Sequence, residues 1–333
     1  MKKRSLKLLI ILLICIAGLL IVSLLVGKLA ISGKDLLEVL SGNMSRRTEL
    51  LLFEFRLPRI FVALLAGACL ALSGLILQTV LRNPLADPGI LGINAGAGIG
   101  VMFYLLFLTG NTNLYYLLPL CALAGAILSV ILTIAFSYSK MNGLVPIRLI
   151  LTGVAIGAGM NAVNILLTTK VDSEKYRFLV TWLAGSIWGD NWNFVLILFL
   201  TILVIFPLAL FKSKVLDILM LGEDQAILLG INASRERNLL LLFAVILAGI
   251  GVSATGGIGF LGLIAPHMIK QADFSKHRQL LPLVALLGGF LLLGADTIGR
   301  VVLQSGELPA GTIIAVLGAP YFLWMLLHPL KAQ

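Results

Sequence analysis

The sequence predicts an all-α integral membrane protein with about ten transmembrane helices forming one domain over residues 1–333. Three observations carry that prediction. Hydrophobic residues make up 59% of the 333 residues and charged residues only 12%, against roughly 45–50% and 25% in soluble domains. Mean hydropathy is +1.06, and a soluble fold of this size could not hide so much apolar surface behind so few charges. Stretches without Asp, Glu, Lys or Arg recur at about the 20-residue length that spans a bilayer. Finally, 34 glycines include Gly92-x3-Gly96, Gly96-x3-Gly100 and Gly153-x3-Gly157, the small-residue spacing that lets membrane helices approach closely.

The first uncharged stretch, 8–27, follows Lys2, Lys3, Arg4 and Lys7. It is too long for a signal-peptide core and no small-x-small cleavage site follows, so it is expected to stay as the first helix. The second is 60–81. The stretch 88–139 is too long for one span and divides at Gly110-Asn-Thr-Asn113 into spans near 92–108 and 114–137. Spans at 149–169 and 191–211 follow. The 32 uncharged residues 238–269 hold Gly249, Gly251, Gly256, Gly257, Gly259 and Gly262, too many for a continuous helix, so a division near 255–257 is expected. Spans at 279–295 and 308–330 complete ten. Phe178 to Gly189 is apolar but too short to span, which suits a re-entrant or interfacial segment.

Ten helices put both termini on one side. With the termini inside, 15 of 25 basic and 6 of 15 acidic residues are cytoplasmic, a net +9 inside against +1 outside. The positive-inside rule favours that orientation, a multi-pass protein of the cytoplasmic membrane with both termini cytoplasmic. The overall +10 then reflects membrane topology and gives no reason to invoke nucleic acid. Six of the ten external cations lie in one loop, 28–59, including Arg46, Arg47, Arg56 and Arg59. A solvated loop, contact with anionic lipid, or a docking surface for an acidic partner would each account for them. Gly89-Ile-Leu-Gly-Ile93 is echoed by Gly259-Phe-Leu-Gly-Leu263 on the opposite side of this topology, as an inverted internal repeat would place it.

The sequence contains no catalytic constellation. Cys15, Cys69 and Cys121 sit singly in apolar runs, and His267, His277 and His328 lack metal-ligand spacing, so no metal or cofactor is expected. Charges fall at the ends of the spans, which argues against a proton-coupled carrier. No phosphate-binding Gly-x4-Gly-Lys-[Ser/Thr] loop occurs, so any ATP must be hydrolysed by another chain. Residues 217–231 read as two short cytoplasmic helices broken at Gly222, with Glu223 and Asp224 favourably placed at the second N-terminus and Gly230 at its end. Their apolar residues suit a partner surface, or a segment lying on the membrane interface.

Glu54-Phe-Arg-Leu-Pro-Arg59, Gln78-Thr-Val-Leu-Arg-Asn-Pro-Leu-Ala-Asp-Pro-Gly-Ile-Leu-Gly92, the Leu221-Gly-Glu…Leu229-Gly230 pair, Gly259-Phe-Leu-Gly-Leu-Ile-Ala-Pro-His267, Glu307-Leu-Pro-Ala-Gly311 and Leu317-Gly-Ala-Pro320 together resemble the FecCD permease family, in order and along nearly the whole chain. These are membrane subunits of binding-protein-dependent ABC importers for iron–siderophores, haem and vitamin B12. The resemblance implies a second permease chain, identical or paralogous, two ATP-binding subunits, and an extracytoplasmic substrate-binding protein. It maps binding-protein docking onto Arg56, Arg59 and Arg300. ATPase coupling maps onto 217–231, including Leu219, Gly222, Glu223, Ala226, Leu229 and Gly230. The cytoplasmic gate maps onto the loop before the fifth span, at Val145, Pro146 and Ile147.

The expected function is therefore permeation of an iron(III)–siderophore complex, driven by ATP hydrolysed elsewhere. Haem or cobalamin import by the same machinery is the alternative. An ion-coupled secondary carrier is a further class, because backbone carbonyls of broken helices can hold ions without charged side chains.

Overall fold

A computed structural model describes residues 3–27, 45–109, 117–139, 143–187, 191–303 and 306–327. Helices occur at all ten expected positions: α1 (Lys3–Leu25), α2 (Leu57–Val80), α3 (Ile93–Phe107), α4 (Leu117–Ser137), α5 (Pro146–Thr168), α7 (Trp192–Phe211), α10 (Ala233–Thr255), α11 (Leu261–Gln271), α12 (His277–Val302) and α13 (Ala310–Leu327). Between them lie the short helices α6 (Ser173–Leu183), α8 (Ser213–Leu221) and α9 (Glu223–Leu228), and a two-stranded hairpin, β1 (Tyr138–Ser139) with β2 (Gly143–Leu144). Seven helical segments are long and apolar enough to cross a membrane; α3 and α13 are shorter apolar helices. At 11 residues, α11 is about 16 Å long and crosses only half the apolar layer. The Gly110–Asn113 turn, residues 28–44 of the 28–59 loop and His328 fall outside the described residues.

Helix α2 is the axis of the bundle. Ile60, Leu70, Leu72, Leu75, Ile76 and Leu77 are fully buried, and α7, α10, α11 and α12 pack around them. The packing depends on missing side chains. A Cβ on Gly74 would sit 1.9 Å from the carbonyl oxygen of Gly262 in α11, and one on Gly67 would sit 2.4 Å from that of Gly288 in α12. The predicted small-residue face of α3 is used in the same way, with Gly96 and Gly100 against the backbone of Gly125 and Cys121 in α4. Such contacts take the place of the hydrophobic driving force that lipid removes.

The uncharged run 238–269 does divide where its glycines crowd. Helix α10 ends at Thr255 and Gly256 turns left-handed, at φ +69°. A Cβ there would meet the carbonyl oxygen of Trp182 at 2.1 Å, so both the turn and the close approach call for glycine. The Gly89–Ile93 segment breaks similarly: Asp87 caps a 3-10 turn, Pro88–Leu91, through the backbone N–H of Gly89 (2.8 Å), and Gly92 is left-handed. Asp87 and Pro88, just before the first echoed segment, pack against Gly262 in the second.

Several elements outrun the uncharged stretches that predicted them. Helix α12 runs to Val302, so Asp296 and Arg300 lie within a helix expected to stop at residue 295. Helix α10 begins at Ala233, and α2 is extended backwards by a π-helical turn, Leu50–Arg56, and a short helix, Arg46–Glu49, capped by Ser45. Within these extensions Asp296 pairs with Arg300 and with Arg59, Glu236 with Lys212, and Arg237 with Glu223. The apolar piece near 178–189 begins earlier than expected, as helix α6, and docks through buried Leu179 and Trp182 onto the break after α10, where the carbonyl of Trp182 accepts the N–H of Gly257.

Candidate functional site

The three arginines predicted to act together, Arg56, Arg59 and Arg300, converge at one end of the bundle although 244 positions separate the first from the last. Asp296 holds two of them, Arg59 and Arg300. Its Oδ1 accepts from Nε and Nη2 of Arg59 at 3.0 and 2.9 Å, and its Oδ2 lies 3.1 Å from Nε of Arg300, one helical turn away in α12. Arg59 also donates to Glu307 at 2.8 Å. Arg300 reaches back to Ser23 and Arg56 to the carbonyl of Leu24, which ties the end of α1 to the group.

Burial within the cluster is graded. The Asp296 side chain is 2% exposed, those of Arg300 and Arg59 7% and 18%, and that of Glu307 40%. Three guanidiniums and two carboxylates leave an excess of one positive charge, with Arg59 and Glu307 at its rim. Sequence reasoning found the arginines but not Asp296 or Glu307. The available signal was the four-residue spacing of Asp296 and Arg300, which pairs side chains along a helix.

At the opposite end lie α8 and α9, hinged at Gly222 (φ +135°) as the sequence predicts. The apolar residues divide between two faces. Leu219 and Ala226 are buried in the chain's own core, whereas Leu229 is 60% exposed and lies beside exposed Met220, Leu221, Ile227 and Leu228. Gly230, left-handed at φ +77°, closes α9.

Three polar ties fix this helix pair. The guanidinium of Arg82 donates to the carbonyl of Leu219 at 3.1 Å. Asp217 accepts from the backbone and the ring Nδ1 of His277 at 2.8 and 2.7 Å, and the other ring nitrogen meets Thr79 of α2 at 2.8 Å. Burial tends to raise the Asp217 carboxyl, but the two hydrogen bonds from His277 and the charges of His277 and Lys276 together hold it below the usual carboxylate range. The third tie is Arg237 of α10. Its Nη2 donates to Glu223, the first residue of α9, at 2.6 Å, and its Nη1 to the carbonyl of Leu144 at 2.9 Å.

Leu144 belongs to the hairpin leading into the predicted gate. Val145 is extended, Pro146 occupies the first turn of α5, where it costs no hydrogen bond, and Ile147 is 61% exposed. One buried guanidinium thus joins α9 to this hairpin. Neither Arg237 nor His277 stood out in the sequence, because their partners lie 93 and 60 positions away.

Asp87, half-buried between α2 and α3, is pushed up to about 6 by desolvation, against the pull of the Gly89 N–H. His267 pairs with Tyr321 at 2.8 Å, and Lys270 donates to Gln78 at 3.0 Å. Among the described residues no group of three or more His, Cys, Asp or Glu is arranged to hold a metal ion.

A multi-pass helical bundle with broken helices around a central span, a charged cluster at one end and a hinged apolar helix pair at the other defines the permease subunit of a transporter. The chain belongs to the FecCD transport family, whose profile matches residues 11–328. It is 43% identical over 311 residues to the iron(3+)-hydroxamate import system permease protein FhuG of Bacillus subtilis, covering 92% of each chain. It is 36% identical to the Fe(3+) dicitrate transport system permease protein FecD of Escherichia coli, over 95% of this chain and 96% of that one. It is also 38% identical to the vitamin B12 import system permease protein BtuC of Salmonella typhi, over 85% and 86%. A solved inward-facing structure of a metal-chelate type ABC transporter superposes with a TM-score of 0.83 at 30% identity, covering 96% of this chain and 99% of that one.

Proposed function

We propose that this permease subunit carries an iron(III)–siderophore complex across the cytoplasmic membrane, paired with a second permease chain and driven by two ATP-binding subunits. The observation that supports it most is the hinged pair α8–α9, which leaves Met220, Leu221, Ile227, Leu228 and Leu229 exposed while Arg237 ties its hinge to the hairpin before Val145-Pro146-Ile147. A contact that moved α9 would pull on that hairpin directly. On this reading Glu223 and Gly222 set the hinge, Leu219, Ala226 and Gly230 hold the pair's shape, and Leu229 meets the ATP-binding subunit.

Both termini and α8–α9 are taken as cytoplasmic, and the Arg56–Arg59–Arg300 cluster as external. There its excess positive charge suits acidic residues on a binding protein. Arginine favours such a contact because its planar fork donates two parallel hydrogen bonds to one carboxylate.

The substrate class follows the iron–chelate relatives. The vitamin B12 permease at 38% identity keeps cobalamin as the competing cargo. Labelled-iron uptake by a deletion strain, supplied with one purified siderophore at a time, tests the assignment. Restored uptake that requires this gene and an intact ATP-binding subunit is the expected result. Restoration of cobalamin uptake alone would replace iron–siderophore by cobalamin. Uptake that follows an ion gradient without ATP would overturn the importer reading.

A further inference from the structure

At the bundle end carrying α8 and α9, two cavities open side by side on α10 and share Asn238 and Leu242 as a common wall. The first, about 590 Å³, runs between α4 and α10 and is lined by Leu123, Ile127, Ile131 and Ile134 on one side and Val245, Ile246 and Ile250 on the other. Asn238 is its only polar lining residue among those described. The second, about 540 Å³, is polar and holds Lys212, Asn232, Arg235 and Glu236.

The dimensions and charges of the two fit one molecule. From Leu123 to Ile134 the apolar groove follows α4 for about 16 Å, at roughly 1.5 Å per residue. That is close to the thickness of one leaflet's hydrocarbon, about half of a 30 Å core. Ile127, Ile131 and Leu242 are 44%, 56% and 53% exposed along it, so the groove is open to the bilayer along its length.

At the polar end Lys212 is paired with Glu236 at 2.6 Å. The side chain of Arg235, which is exposed, has no hydrogen bond or ion pair among the described residues. Two cations therefore face one acid that is already engaged, and the cavity keeps a positive charge directly beyond the end of an acyl-length groove. Basic pockets between spanning helices at a membrane interface are suited to anionic headgroups.

We propose that the joined cavities are a binding site for one anionic phospholipid, with its phosphate held by Arg235 and Lys212 and one acyl chain laid between α4 and α10. The inference requires only that the chain spans a bilayer. It is independent of the cargo and of the roles assigned to Arg56, Arg59 and Arg300.

Native mass spectrometry of the assembled transporter, exchanged into micelles holding equal phosphatidylglycerol and phosphatidylcholine of identical acyl chains, tests it. The wild type is expected to retain phosphatidylglycerol over phosphatidylcholine by about tenfold. Arg235→Glu should erase that preference and Arg235→Lys should keep it. Ile131→Trp, which fills the open groove, should lower retention of both lipids.

Equal retention of the two lipids by the wild type would refute the site, whatever the variants do. So would a preference that Arg235→Glu leaves intact. Displacement by inorganic phosphate alone would reduce the site to one for a free anion and overturn the lipid assignment. If Arg235→Glu instead released the ATP-binding subunits with lipid counts unchanged, the polar cavity would belong to that protein contact, and the proposal would fail.

Discussion

Asp296→Asn is the most informative single change in the arginine cluster, because it removes a charge and almost no volume. The wild-type carboxylate is 2% exposed, takes two hydrogen bonds from Arg59, and stands 3.1 Å from Nε of Arg300. The amide can still accept from Arg59, but the buried negative charge between Arg59 and Arg300 is gone. Removing one partner of a buried ion pair costs about 3–5 kcal/mol, since the other charge stays buried and uncompensated. Two features reduce that figure: Arg59 keeps Glu307, and Arg300 keeps Ser23 and Thr297. A loss of about 3 kcal/mol is therefore expected.

Glu307→Gln supplies the internal control. Its side chain is 40% exposed, so its pair with Arg59 should contribute under about 1 kcal/mol. Reversible unfolding in mixed micelles would compare the two variants under identical conditions. If Asp296→Asn costs no more than Glu307→Gln, the graded burial of the cluster does not set its energetics and the reasoning is wrong.

Five further variants have expected outcomes. Arg59→Gln should slow association of the binding protein and flatten the salt dependence of its on-rate, while co-purification of the ATP-binding subunits holds; surface plasmon resonance with nanodiscs decides. Leu229→Asp should leave membrane insertion and Tm near wild type, because the residue is 60% exposed, yet abolish uptake and binding-protein-stimulated ATP hydrolysis. Ala226→Asp, which puts a charge at a fully buried position, should instead lower Tm. Gly74→Ala should destabilise by about 3 kcal/mol or more, beyond ordinary overpacking, since its Cβ would lie 1.9 Å from a backbone oxygen that cannot swing aside; thermal unfolding of the purified chain measures it. Asp87, raised to about 6 from an ordinary value near 3.9, binds its proton more tightly folded than unfolded, so its effect is to lower stability as pH rises between about 4 and 6. Asp87→Asn should flatten that slope in unfolding curves at the two pH limits, and an unchanged slope would show that Asp87 is not its source.

The sequence by itself determined which stretches of the chain become helical and where the long run at Gly256 breaks. Hydrocarbon length fixes the size of an apolar run, and a crowd of glycines around Gly256 leaves no continuous helix to form, so both features are local and readable. The family followed from ordered motifs, which also drew attention to Arg56, Arg59 and Arg300, and the break at Gly222 was readable from the glycine itself. The tertiary structure decided which charges belong inside helices. Asp296 and Arg300 ended a span on paper but extend α12 in space, because Arg59, 237 positions away, compensates the buried acid. It also decided which residues of α8 and α9 face outward. Leu219 and Ala226 point inward and Leu228 and Leu229 outward; a six-residue helix is too short to carry a periodic signal, so only its neighbours set its rotation. The tie from Glu223 through Arg237 to Leu144 was invisible for the same physical reason. A buried guanidinium is satisfied by whichever acceptors the packing brings to it, and their distance along the chain places no constraint on that choice.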